Sequence, residues 1–113
     1  MVEVAPTSVN KRPSLVGGEI YISLTVEASK RFTAKAFTAE NFSKYFGIAV
    51  EWVSAPVWRN AKDENGKETG EQYQYVKIKI VQKSEQATRE TAALLEQHTD
   101  VMTTRLEGIV YTD

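Results

Sequence analysis

Glu71-Gln72-Tyr73-Gln74-Tyr75-Val76-Lys77-Ile78-Lys79-Ile80-Val81-Gln82 is the stretch whose reading decides the fold. Val76, Ile78 and Ile80 recur at every second position, while Tyr73, Tyr75, Lys77 and Lys79 occupy the alternate ones. That period is a strand with one buried face and one face turned outward. The outward set is unusual in kind, because it combines aromatic rings with cations.

Upstream, Asp63-Glu64-Asn65-Gly66 lies in the polar run 60–70 and signals a turn. Its calcium-loop spacing fails, so it reads as a hairpin loop. Before it, Ile48–Arg59 reads as a strand interrupted by Pro56, which has no N–H for a ladder and marks an edge or bulge. Glu19–Glu27 alternates Ile20, Ile22, Leu24 and Val26 against Tyr21, Ser23, Thr25 and Glu27, a half-buried strand.

Two helices are punctuated. Thr38 can cap the first, with Glu40 at its positive end; Phe42, Tyr45 and Phe46 share a face and Gly47 stops it. Ser84 opens the second, which runs to about His98 with Ala87, Thr91, Leu94 and Leu95 as its buried stripe. Arg105–Thr112 closes the chain as a short strand. Ala28–Phe37 is open to two readings; alternation of Phe32, Ala34 and Ala36 favours a second strand over a helix.

The expected organisation is a flexible arm over residues 1–18 and one α+β domain over residues 19–113. With residues 28–37 set aside, the order is strand, helix, strand, strand, helix, strand. That is the ferredoxin-like split βαββαβ arrangement with an open sheet face. If residues 28–37 form a strand, an OB-like five-stranded barrel with a C-terminal helix is the alternative.

Composition narrows the chemistry. The chain has 113 residues, 42% apolar and 26% charged, with a net charge of −1, no cysteine and one histidine, His98. Disulfides and thiolate metal sites are excluded, and a single histidine builds no Ser-His-Asp set. His98 reads as a solvated or helix-capping residue. Neither a cofactor nor a metal site is expected, and no Gly-rich phosphate loop is present. The apolar runs are too short to cross a bilayer and Met1-Val2-Glu3 opens no signal peptide, so the expectation is a cytoplasmic protein without membrane contact. Asn41-Phe42-Ser43 matches a glycosylation acceptor only formally, since it falls inside a helix. The expectation is a non-catalytic binding protein.

The surface expected to bind is the polar side of the strands. Tyr21, Tyr73 and Tyr75 would stack on bases, while Lys35, Arg59, Lys77 and Lys79 would meet phosphate. Trp58 is placed with them; for Trp58 and Trp52 alike, packing in a core or interface is the alternative. A mildly acidic chain must draw any nucleic-acid affinity from such a local patch.

Tyr73-Gln74-Tyr75-Val76-Lys77-Ile78 resembles the first ribonucleoprotein motif of RNA-recognition domains. Tyr73 and Tyr75 fall on its aromatic positions and Val76 on its valine. Ile20-Tyr21-Ile22 looks like the partner motif on the first strand. Glu71 stands where a basic residue is expected, Gln72 and Gln74 replace both glycines, and Ile78 replaces the last aromatic. The resemblance implies a ferredoxin-like fold that binds single-stranded DNA or RNA. The competing expectation is an assembly domain that forms a homodimer or larger oligomer through the same face.

Overall fold

The computed structural model describes residues 14–109. The expected arm over residues 1–18 lies mostly outside them, and the first strand starts at Ser14 rather than Glu19. The chain is α+β: among the described residues, five strands form one open antiparallel sheet, accompanied by three α-helices and a 3-10 turn.

Strand β1 (Ser14–Leu24) sits in the middle, flanked by β4 (Glu68–Ile80) and β5 (Val101–Ile109). Outside β4, strands β2 (Val50–Val53) and β3 (Val57–Lys62) follow one another along the same edge. They are the two halves of the expected strand, parted by Pro56. Between them Ser54 keeps contact with β4, donating N–H to the Lys77 carbonyl and accepting from the Lys77 amide. The β3–β4 turn is the expected one. Asp63 Oδ1 accepts from the Asn65 and Lys67 amides, and Gly66 takes φ +81°.

Residues Ala28–Phe37 are not a strand. Helix α1 (Val26–Arg31) begins one residue after β1, and a 3-10 turn (Ala34–Ala36) follows. The physical reason is a cap that the alternation concealed. Thr25 Oγ1 accepts from the Ala28 amide, Glu27 sits at the positive end and Lys30 and Arg31 at the negative end. The apparent alternation spans a helix end and a separate turn: Ala28 and Phe37 enter the core, Phe32 and Ala36 pack against it, and Ala34 is exposed. Helix α2 (Ala39–Phe46) matches expectation, capped by Thr38 and stopped by Gly47 at φ +69°.

Helix α3 (Glu85–Glu96) keeps its Ser84 cap, but its buried stripe is Thr88, Ala92 and Leu95. Leu94, expected inside, is 60% exposed. A hydrogen bond sets this phase. Gly18 donates its amide to Thr88 Oγ1 at 2.7 Å, turning that hydroxyl into the interior. Gly17 and Gly18 make the approach feasible: a Cβ on Gly17 would meet the Lys83 carbonyl oxygen at 1.8 Å, and Gly18 holds φ +83°.

The core lies on one sheet face. Ile20, Ile22 and Leu24 of β1, Val76, Ile78 and Ile80 of β4, Val50 and Val101 pack beneath Phe42 of α2 and Ala92 and Leu95 of α3. At ~25 cal/mol per Å² of apolar surface, this burial is the main force that folds the domain. Strand parity then dictates what the opposite face carries. Tyr21, Tyr73, Tyr75, Lys77 and Lys79 must point away from the helices.

Candidate nucleic-acid interface

The open face is organised in rows along β4. Register pairs Tyr21 of β1 with both Lys77 of β4 and Arg105 of β5, and Ser23 with Tyr75. Farther along, Arg59 of β3 pairs with Tyr73, and at the other end Trp52 of β2 pairs with Lys79. Directly paired residues share a face. Side chains from all five strands therefore meet here.

The rings and cations touch. Tyr21 and Tyr75 stack with centroids 5.6 Å apart and planes 15° from parallel. The Arg59 guanidinium lies 4.1 Å over the Tyr75 ring, and Arg105 sits 5.1 Å from the Tyr21 ring while donating to the Tyr75 hydroxyl at 3.2 Å. Together with Tyr73 and Thr103 these groups line a shallow dish of about 200 Å³. Each exposed cation–π contact contributes about 0.5–1 kcal/mol, enough to pre-arrange the guanidiniums without locking them.

The cations are not equivalent. Lys77 is spoken for, with its ammonium 2.8 Å from Glu19 and only 27% of its side chain exposed. That carboxylate holds the Lys77 ammonium above its ordinary pKa, against a smaller opposing effect of burial. Among the described residues, Arg59, Lys79 and Arg105 have no carboxylate within salt-bridge distance. Glu107, two residues beyond Arg105 on β5, is a second acid on this face. Its interaction with the Tyr21 hydroxyl, helped by partial burial, holds the phenol above its usual pKa, while Lys77 pulls the other way.

Six of the eight expected residues are brought together: Tyr21, Arg59, Tyr73, Tyr75, Lys77 and Lys79. Two are placed elsewhere. Trp58 pairs with the buried Gln74, so its strand parity is opposite to that of the tyrosines, and it lines with Arg59, Tyr73 and Met102 a cavity at the β3 edge. Lys35 sits in the 3-10 turn, beside a groove lined by Arg31, Phe32 and Tyr45. Arg105 was missed, and Trp52, weighed in the sequence only beside the packing alternative, joins this face. Arg105 lies on a terminal strand whose register with β1 is invisible in the sequence, and Trp52 gains its place only through the bulge in the β2–β4 ladder.

No known protein family, curated protein or solved structure matches this chain. No helix among the described residues is long and apolar enough to cross a membrane.

A second polar cluster lies on the helix side and ties the fold together. Asp100, buried at the start of β5, accepts from Arg31 Nη2 at 2.5 Å and from the Tyr45 hydroxyl. Burial opposes its charge, but these two hydrogen bonds outweigh it and hold the carboxyl below the ordinary aspartate pKa. His98 packs edge-on to Phe46 at 4.8 Å, and its Nδ1 accepts from the Asp100 amide. The lone histidine is thus a half-buried packing residue rather than a solvated one.

Proposed function

We propose that this chain is a non-catalytic, intracellular module that binds single-stranded nucleic acid across the open sheet face. The observation that carries the reading is the convergence of Arg59 and Arg105 on the stacked Tyr21–Tyr75 pair. A phosphodiester strand needs cations and flat surfaces side by side, and both tyrosine and guanidinium planes accept a base. Charge complementarity supports it too. Arg59, Lys77, Lys79 and Arg105 face Glu19 and Glu107 here, in a chain whose net charge is −1. The strand order β5-β1-β4, with β2 and β3 outside β4, supports a ferredoxin-like reading of the fold over the barrel alternative.

The pre-stacked geometry refines the roles. Tyr75 already contacts the Tyr21 ring and the Arg59 guanidinium, so an incoming base stacks on that guanidinium, displaces it, or meets the remaining ring surface of Tyr21 or Tyr73. Phosphate contact then falls on Arg59, Arg105 and Lys79, and Lys77 contributes less because Glu19 neutralises it.

The test is anisotropy of a fluorescein-labelled single strand against wild type and Tyr21→Ala/Tyr75→Ala. Binding by wild type and at least tenfold weakening in the folded variant supports the reading. Unchanged affinity in the folded variant removes the tyrosine pair from the interface.

One observation favours assembly as a second reading. The β3 edge exposes Val57 and Trp58 beside strand backbone that has no neighbour among the described residues. Concentration-dependent elution that Trp58→Lys abolishes would support a homo-oligomer built through that edge.

A further inference from the structure

Trp52 is 43% exposed on β2, and the Lys79 ammonium lies 5.0 Å from its ring. Large indoles are usually buried, and this one is held at the surface by a cation on the same sheet face as Tyr21 and Tyr75. Its neighbour in sequence, Val53, packs against the core, so the outward direction of Trp52 follows from strand parity. The pair repeats the chemistry of the Arg59–Tyr75 contact at a second place.

The spacing is what makes the two places one site. Lys79 and Tyr75 lie four residues apart on the same face of β4, about 13 Å at the rise of a strand. A nucleic-acid strand advances about 3.4 Å per nucleotide when helically stacked, and more when its bases are splayed, so this gap corresponds to about three or four nucleotides. Between the two aromatic stations lie Lys77 and Glu19, a neutralised pair that neither attracts nor blocks a backbone.

We propose that Trp52, with Lys79 above it, is the second base-stacking station of the same nucleic-acid strand, which runs along β4 from Arg59 and Tyr75 to Trp52. This inference rests on the single-strand reading given above and adds to it a path and a minimum length. A ligand that reaches both stations spans at least about four nucleotides. Trp58, of opposite strand parity and at the β3 edge, reports a different place from Trp52.

The experiment uses two full-length variants, Trp58→Phe, which keeps only Trp52, and Trp52→Phe, which keeps only Trp58. Each is titrated with an oligothymidylate and an oligouridylate of about eight nucleotides, a length within known single-strand site sizes. Binding is followed separately by anisotropy of the labelled oligonucleotide. The expected result is strong quenching of Trp52 emission at the same concentrations that raise anisotropy, with a smaller change in Trp58 emission. Trp52→Ala should also weaken binding about 5- to 150-fold, the loss of one stacked base. Binding seen by anisotropy without a change in Trp52 emission, or with full affinity in a folded Trp52→Ala protein, overturns the second station and leaves the tyrosine face standing. Absence of any binding at low salt overturns both.

Discussion

Tyr21 and Tyr75 stack at 5.6 Å although they stand on different strands and are not register partners. Tyr75 pairs with Ser23 and Tyr21 with Lys77, so the ring contact is diagonal, within the reach that aromatic side chains have across a sheet. Because the rings touch, they should not act independently. Tyr21→Ala and Tyr75→Ala are each expected to weaken single-strand binding by about 1–3 kcal/mol, and the double variant by less than the sum. A double-mutant cycle measured by anisotropy checks this. Additive losses would mean that the two rings meet separate bases.

Salt dependence should divide the cations. Arg59→Ala and Arg105→Ala are each expected to lower the slope of log affinity against log salt by about 0.7, the value for one phosphate contact to a single strand. Lys77→Ala should change the slope less, because Glu19 already neutralises that ammonium. Glu19→Gln frees it, and affinity at low salt should rise. Equal slopes in all four proteins would contradict the ranking.

Much of the fold was legible because β4 states its own parity. Once Val76, Ile78 and Ile80 point inward, Tyr73, Tyr75, Lys77 and Lys79 have nowhere else to go. The same logic failed where the deciding contact is distant in sequence. The phase of α3 depends on Gly18 reaching Thr88, seventy residues away, and so Leu94 was placed inside when it is exposed. Helix α1 was hidden because a single turn and a half of helix carries too few residues to show a period, and its Thr25 cap looked like one more outward strand residue. Arg105 and Trp58 show the limit for the site. Neither residue's face can be assigned without the register of its strand.

The glycine pair in β1 should be intolerant of side chains. Gly17→Ala places a Cβ against the Lys83 carbonyl and forces the β4–α3 connection to move, and Gly18→Ala strains a residue at φ +83°. Losses of about 1–3 kcal/mol are expected for each. Gly70→Ala is the useful contrast. It also has positive φ, +87°, but nothing lies within reach of its Cβ, so only the backbone strain should appear. Urea unfolding of the three variants separates crowding, which acts alone at Gly17, from strain, which acts alone at Gly70, and a Gly17→Ala protein as stable as wild type would show that the Lys83 contact contributes nothing.

Asp100 gives the fold a pH dependence with a definite sign. Its folded pKa lies below the unfolded value of about 4, so its stabilisation is complete above that value and disappears as pH falls through the folded pKa. Asp100→Asn should be less stable than wild type by about 1–3 kcal/mol at neutral pH, and the gap should narrow below about pH 4. Chemical unfolding of both proteins across that range measures it. A gap that stays constant with pH would mean that the Arg31 and Tyr45 contacts do not depend on the charge.

The most direct test of the central claim is an isotope-filtered NMR experiment on the protein mixed with an unlabelled single-stranded oligonucleotide. Contacts between base protons and the ring protons of Tyr21, Tyr73 or Tyr75, absent for the rings of Phe42 and Phe46 beneath the opposite face, are the predicted result. A complex whose only contacts fall on the helices or the β3 edge, or no complex at low salt, would contradict the account.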